Sequence, residues 1–219
     1  MENFIFRVAT VNDIPFLITT IIESEKSGTD KLSYSTIFGL SEEEVHIYLK
    51  DMLLAEIDGC ELSLTSFIVA EYNGQTAGAI SAWIEGKDGI PSNVVKGNLY
   101  NYILPKKCIE RGNALKAILH ELQIEKIPSS IHLGAVYVAK DFRGNNLARL
   151  MNIEIIGRLL KINPNISTVC AHIFSSNTPS IRTVEKMGFK MIQMKESSNE
   201  EILNYLPSNK KLVMTKNYS

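Results

Sequence analysis

Short apolar runs separated by polar or turn residues predict a protein rich in β-strands. Seven such runs lie at residues 4–10, 66–72, 75–84, 129–140, 167–176, 189–196 and 210–218. Asn73 and Gly74 separate the second and third runs, and both residue types tolerate the positive φ of a tight turn. These two strands are therefore predicted to form an antiparallel hairpin.

Apolar residues at helical spacing predict four helices between the strands. They span residues 11–26, 41–58, 144–163 and 177–188. The second helix begins with Ser41 and Glu44, the residue pair of a capping box. The fourth begins at Asn177, a good N-cap, and ends at Gly188, a good stop. The polar and irregular residues 27–40 predict a loop.

Residues 86–129 interrupt the strands and predict an inserted helical pair. A short helix is expected within 94–104 and a longer one within 105–125, with a weak point at Gly112. Because about 40 residues are few for an independent core, the whole chain, 1–219, is predicted to form a single domain. The order of elements predicts a mixed α/β fold with one sheet of six or seven strands and helices on both faces.

Composition narrows the class of protein. The 219 residues carry a net charge of −1, which argues against a non-specific nucleic-acid binder because that function needs a basic face. Cys60, Cys108 and Cys170 lie far apart without metal-ligand spacing, so reduced thiols and no metal site are expected. The sequence has no run of about 18 apolar residues that would predict a membrane span, and it shows no signal-peptide pattern. A cytoplasmic protein is therefore predicted.

The joint between the strand at 129–140 and the next helix has the chemistry of an anion site. A helix that starts directly after a strand points free backbone N–H groups and its positive dipole end beyond the strand. Gly144 lets a ligand approach the backbone, and Arg143 offers a positive fork suited to phosphate. Asn145 and Asn146 tolerate unusual φ and add donors. The alternative is an ordinary turn before a helix. Walker and GxGxxG motifs are absent, which disfavours other nucleotide sites.

Two segments carry a resemblance to a known family. The segment "VYVAKDFRGNNLARLM" follows the pattern (Arg/Gln)-x-x-Gly-x-(Gly/Ala) with asparagine in place of the first glycine of the pattern. The segment "NTPSIRTVEKMGF" follows Asn-x-x-Ala and then Glu-Lys-x-Gly-Phe, with serine in place of the alanine. Together they resemble the acetyl-CoA site of the GNAT superfamily of N-acetyltransferases. The specific match covers residues 130–190.

The resemblance implies a mostly antiparallel sheet that splays apart between its fourth and fifth strands. Acetyl-CoA would be the cosubstrate, with its pantetheine arm lying in the wedge and pairing with the backbone of the fourth strand. Its pyrophosphate would lie on the N–H groups of residues 143–148. The implied cofactor-binding residues are Val136, Tyr137, Val138, Arg143, Gly144, Asn145, Asn146, Leu147, Ala148, Asn177 and Ser180.

Two positions depart from the family pattern. Asn146 stands where a second glycine is usual, and Asn is the mildest replacement if positive φ is needed there. Val184 stands where many members carry a tyrosine that acts as a general acid toward the leaving thiolate. Because a thiolate is a weak base, the absence of that tyrosine does not by itself predict an inactive protein.

The implied reaction is direct attack of a primary amine on the acetyl thioester, which needs a base to remove a proton from the ammonium. His132 is the candidate, since strand alternation predicts that it shares a face with Val136 and Val138. The alternative is that His132 has only a structural role, and the same alternative applies to His172. Glu85, at the end of its strand, could also collect the proton through water; the alternative, which is favoured, is a solvated side chain.

The acceptor amine and the oligomeric state stay open at this stage. A small molecule, a peptide N-terminus or a protein lysine would each fit a near-neutral chain. Two other functions also remain: a non-catalytic acyl-CoA-binding module of the same fold, and an interaction protein that docks a partner through inserted helices at 90–124.

Overall fold

The strands form one seven-stranded sheet in the order β1-β2-β3-β4-β5-β7-β6. A computed structural model describes residues 4–218. The strands are β1 Ile5–Val8, β2 Phe67–Tyr72, β3 Gln75–Ile84, β4 Ile131–Val138, β5 Thr168–Phe174, β6 Lys190–Glu196 and β7 Lys210–Asn217. Neighbouring strands are antiparallel except β4 and β5, which are parallel. The prediction of a mixed, mostly antiparallel sheet is confirmed.

Eight α-helices are found in the described part of the chain. They are α1 Ile14–Lys26, α2 Ser33–Phe38, α3 Glu42–Leu54, α4 Ser92–Ile103, α5 Lys106–Ala114, α6 Lys116–His120, α7 Leu147–Ile162 and α8 Thr178–Lys186. Short 3₁₀ helices cover Val11–Asp13, Leu64–Ser66, Lys140–Phe142 and Glu200–Asn204. The predicted capping box of α3 is present, since the Glu44 N–H donates to Ser41 Oγ and the Ser41 N–H to the Glu44 carboxylate.

Two helical predictions are wrong, and packing between α2 and α5 explains the first of them. The predicted loop contains α2, whose residues are weak helix formers but whose last carbonyls, at Thr36 and Ile37, accept hydrogen bonds from the Arg111 guanidinium. The predicted long helix is broken at Leu115 into α5 and α6. Gly112 lets α5 approach this partner, because a Cβ there would lie 2.8 Å from the Phe38 ring.

Helices cover both faces of the sheet, as predicted. On one side, the α1 face, Ala79 of β3 packs with buried residues of α1, α3, α4 and α5, such as Leu17 and Leu99. On the other side, the α7 face, Ile80 of β3 packs with buried residues of α7 and α8, such as Met151. The inserted helices therefore share a core with the sheet, and the single domain stays a prediction.

A β-bulge in β4 reverses which side chains point to each face. Val136 lies opposite Ile80 and Leu133 opposite Ala82, so Gly134 and Ala135 together face the single residue Ser81. The Ser81 hydroxyl fills the gap and accepts a hydrogen bond of 2.9 Å from the Ala135 N–H.

Cys60, Cys108 and Cys170 are buried free thiols. Within residues 4–218, none of the helices combines the length and the apolar character that crossing a bilayer requires.

Candidate functional site

The sheet opens between β4 and β5. These strands pair only from Ile131 to Leu133 and from Val169 to Ala171, and beyond those residues they diverge. The gap joins a cavity of about 1390 Å³ that is lined from both faces of the sheet. The predicted splay between the fourth and fifth strands is thus present, and it leaves part of the β4 edge without a partner strand.

The open edge of β4 directs backbone groups into the gap. The Ala139 N–H donates to Ala77 O on the β3 side at 2.9 Å. Because successive amides of a strand point to opposite sides, the amides of Val136 and Val138 point away from β3 and toward the gap. The Val138 carbonyl accepts a hydrogen bond of 3.1 Å from Arg143 Nε. Tyr137 packs instead toward the α1 face, 6.0 Å from the Phe16 ring between centroids.

The turn that follows β4 presents main-chain amides at the start of α7. Gly144 has φ +89° and Asn146 has φ +58°, so Asn146 adopts the left-handed conformation that a glycine at this position would also favour. A Cβ added at Gly144 would meet nothing within 4 Å, so the turn is open to a ligand. The N–H groups of residues 147–149 have no carbonyl partner within the helix. The Leu147 side chain is buried in the core.

The start of α8 lines the same cavity. Asn177 Oδ1 accepts a hydrogen bond of 3.2 Å from the Ser180 N–H, so Asn177 is the N-cap as predicted. Its Nδ2 group is left available to a ligand. Two helix N-termini therefore face one cavity, and both their free amides and their dipoles favour an anion there. Val184 on the same helix is buried in the core and offers no hydroxyl.

His132 lies on the opposite face of β4 from the one predicted. The bulge at Gly134 shifts the alternation, so His132 pairs with Trp83 on the α1 face, whereas Val136 and Val138 pack on the α7 face. The prediction that these residues share a face is wrong. His132 is 2% exposed and lines the cavity, and its Nε2 has no hydrogen-bond partner among the described residues.

Burial makes His132 a weak base. Loss of solvent, followed by the nearby Lys126 ammonium, lowers the pKa of His132 to about 4. Its ring lies edge-on to His172, with 5.2 Å between centroids, and burial lowers the pKa of His172 to about 3. Both rings are therefore neutral near pH 7. The role of His132 as the general base stays a prediction.

Glu85 is buried, so the prediction of a solvated side chain is wrong. Its carboxylate accepts hydrogen bonds from the Ser92 N–H at 2.8 Å, the Ser92 hydroxyl at 2.6 Å and Trp83 Nε1 at 3.1 Å. Burial alone would raise the pKa of Glu85, but these hydrogen bonds outweigh it and lower the pKa. Glu85 thus holds the start of α4 against the sheet, so it is an anchor of the insertion.

The α1-face side of the cavity forms a charged chamber that sequence reasoning missed. Its buried or half-buried charged residues are Glu25, Glu61, Glu85, Lys96, Lys126 and Lys211. Glu61 forms ion pairs with Lys96 and, at 4.0 Å, with Lys126. Lys126 also lies over the Trp83 ring at 5.0 Å. These residues come from α1, α4, β7, the end of β3 and the loops before β2 and β4, so no local sequence motif marks them.

Among the described residues, Glu25 and Lys211 have neither the ion pairs of Glu61 nor the hydrogen bonds that hold Glu85. Neither side chain has an ion-pair partner within 4.0 Å in the described part of the chain. Burial raises the pKa of Glu25, against the opposing effect of Lys96. Burial lowers the pKa of Lys211 to about 8, and Lys96 adds to that effect. The chamber can therefore receive a charged ligand of either sign.

Comparisons with known proteins agree with this geometry. Residues 119–198 match a family model described as FR47-like protein. An N-acetyltransferase structure from Staphylococcus aureus Mu50 aligns with a TM-score of 0.64 and 13% identity over 97% of this chain and 100% of that one. An agmatine N-acetyltransferase mutant, in its apo form, aligns with a TM-score of 0.60 and 14% identity over 99% and 100%.

A polyamine N-acetyltransferase from Drosophila melanogaster aligns with a TM-score of 0.55 and 14% identity, over 99% of this chain and 100% of that one. No curated protein matches the sequence. At these identities the alignments establish a shared fold.

Proposed function

We propose, from the GNAT superfamily fold of this chain, that it transfers the acetyl group of acetyl-CoA to a primary amine. The observation that carries the proposal is the continuity of one cavity from the amide-lined turn at 143–148, past the open edge of β4, to a charged chamber on the α1 face. The names of the agmatine and polyamine acetyltransferases that share the fold support an amine as acceptor.

The residues of the turn fit the cosubstrate. Positive φ at Gly144 and Asn146 turns backbone amides toward the cavity, and the open space at Gly144 admits a diphosphate. The amides of Val136 and Val138 would hold the pantetheine arm as a partner strand would. Asn177 and Ser180 would contribute polar groups beside it. Acetyl-CoA would supply an acetyl thioester at the mouth of the chamber.

The chamber residues would prepare the amine. A lysine-like amine with a pKa near 10.4 is about one part in 2,500 neutral at pH 7, which corresponds to about 4–5 kcal/mol. Glu25 lines the cavity without an ion-pair partner among the described residues, and burial raises its pKa, so its carboxylate is more basic than an ordinary one. We propose Glu25 as the group that binds the ammonium and accepts its proton. His132, with a pKa of about 4, is the weaker candidate.

The test combines calorimetry with thiol release from acetyl-CoA over an amine panel. We expect acetyl-CoA to bind and at least one amine to release thiol. The Glu25→Gln variant should lose about 10²–10⁴-fold in turnover and keep its affinity for acetyl-CoA. The matched control is Glu110→Gln, an exposed carboxylate on α5 paired with Lys106, which should behave as wild type.

The possible results separate the alternatives. Binding without thiol release from any amine would favour an acyl-CoA-binding module. No binding of acetyl-CoA would refute the proposal and leave the interaction protein as the remaining hypothesis. If Glu25→Gln has full turnover while His132→Asn does not, the base is His132.

A further inference from the structure

The charged groups of the chamber are not all paired. Those that are buried or half-buried are three carboxylates and three lysines, and the exposed Glu23 and Glu125 line the same cavity. Glu85 is held by Ser92 and Trp83, and Glu61 is paired with Lys96 and Lys126. Within the described part of the chain, Glu25 and Lys211 therefore have no ion pair within 4.0 Å and lack the hydrogen bonds that hold Glu85.

Lys211 is held in place inside the fold. It lies on β7, where it is paired in register with Phe174 of β5, and its Nζ lies 4.9 Å from the centre of the Phe174 ring. The adjacent Lys210, by contrast, is ion-paired with Glu196 at 2.8 Å. A half-buried lysine without a counter-ion is costly unless a ligand supplies the anion.

We propose that the acceptor carries a carboxylate besides its amine, as an amino acid does, and that Lys211 binds this carboxylate. The inference rests on the proposed function and names the substrate class for it. Glu25 receives the ammonium and Lys211 receives the carboxylate, so a zwitterion neutralises both groups at once. The coupling between Glu25 and Lys211 acts across the same chamber, since each shifts the pKa of the other.

A simple diamine fits the chamber less well. It would satisfy Glu25 but place a second cation among Lys96, Lys126 and Lys211, where like charges repel. It would also leave Lys211 without a counter-ion. We therefore expect this chain to discriminate against the amine that remains when an amino acid loses its carboxylate.

Calorimetric binding to the protein saturated with CoA tests the inference without requiring turnover. The probes are the twenty common amino acids, and for each one that binds, its amide and its decarboxylated amine. We expect at least one amino acid to bind, with an affinity about tenfold to a hundredfold above that of its amide and its decarboxylated amine, as expected for a charge-assisted hydrogen bond.

Variants of the two neighbouring lysines provide the matched control. Lys211→Met should remove the preference for the carboxylate, and Lys211→Arg should retain most of it. Lys210→Met should bind all probes as wild type does. Circular dichroism and affinity for acetyl-CoA check that each variant is folded.

The outcomes decide whether Lys211 binds a carboxylate of the acceptor. Loss of the preference in Lys211→Met alone supports the inference. If no amino acid binds, or if amines lacking a carboxylate bind equally well, the inference is overturned. Failure of acetyl-CoA to bind refutes the proposed function instead, and titration of amino acids into the cofactor-free protein then decides the inference.

Discussion

Substitution of Gly144 by alanine tests the amide-lined turn most directly. Gly144 has φ +89°, and an alanine in this region costs about 1–2 kcal/mol. Alanine also restricts the unfolded chain, which stabilises the folded protein by about 0.4–1 kcal/mol relative to glycine. A Cβ at this position meets nothing within 4 Å, so no clash is added. The net expectation is a loss of about 1 kcal/mol of unfolding free energy, or a fall in Tm of about 2–4 °C.

The effect on acetyl-CoA should be much larger than this stability loss. The added methyl group projects into the space that the diphosphate is proposed to occupy, and moving the diphosphate away breaks one or two charge-assisted hydrogen bonds to backbone amides. Each such bond contributes about 1.5–3 kcal/mol, so we expect Kd for acetyl-CoA to rise about tenfold to more than a hundredfold.

Gly74 provides the matched control. It has φ +77° in the β2–β3 turn, a Cβ there also meets nothing within 4 Å, and it lies outside the cavity. Gly74→Ala should therefore show a similar fall in Tm with unchanged Kd. Calorimetry of both variants checks this. Equal Kd values for Gly144→Ala and Gly74→Ala would refute a diphosphate site at this turn.

Two further predictions concern pH and stability. Unfolded histidine has a pKa near 6.5, whereas the pKa of buried His132 is about 4. The contribution of neutral His132 to the unfolding free energy is therefore fully present above pH 6.5. It is lost as pH falls toward 4, and the loss is about 3 kcal/mol at most. Urea denaturation at stepped pH should show this decline, and His132→Asn should flatten it. Hydrogen bonds from Arg7 lower the pKa of Asp13 to about 2. Asp13→Asn should therefore lower the unfolding free energy by about 2–4 kcal/mol at pH 7 without altering Kd for acetyl-CoA. An unchanged unfolding free energy would contradict the pairing.

Residue types and short sequence patterns predicted the parts of the fold that depend on near neighbours in the chain. The turn at Asn73 and Gly74, the cap at Asn177 and the positive φ at Asn146 all follow from what those residue types allow near themselves in the chain. The GNAT resemblance rested on two such segments, and the fold is one that solved N-acetyltransferase structures share. Short-range patterns were also sufficient to locate every strand.

Features that depend on distant contacts were not predictable from the sequence. Helix α2 exists because Arg111 and Gly112 bring α5 onto it, although its own residues favour a loop. The chamber draws Glu25 and Lys211 from opposite ends of the chain. Neither residue has a neighbour in sequence that indicates a buried ionic role, so only the folded structure brings them together.

The bulge in β4 decides which side chains reach the chamber, and Gly134 permits it. Without the extra residue, His132 would point to the same face as Val136, and Trp83 would lose its stacking partner. A Cβ at Gly134 would collide with Ser81 Oγ and would lie 2.9 Å from the Trp83 ring.

We therefore expect Gly134→Ala to lower the unfolding free energy by about 1–3 kcal/mol, the usual effect of overpacking. Because Trp83 is the single tryptophan, its fluorescence should shift as the ring moves away from His132. Gly97 in α4 is the control, since a Cβ there meets nothing within 4 Å and alanine should stabilise the helix by about 0.5–1 kcal/mol. If Gly134→Ala matches Gly97→Ala in stability and fluorescence, a close approach at Gly134 does not hold the bulge in place.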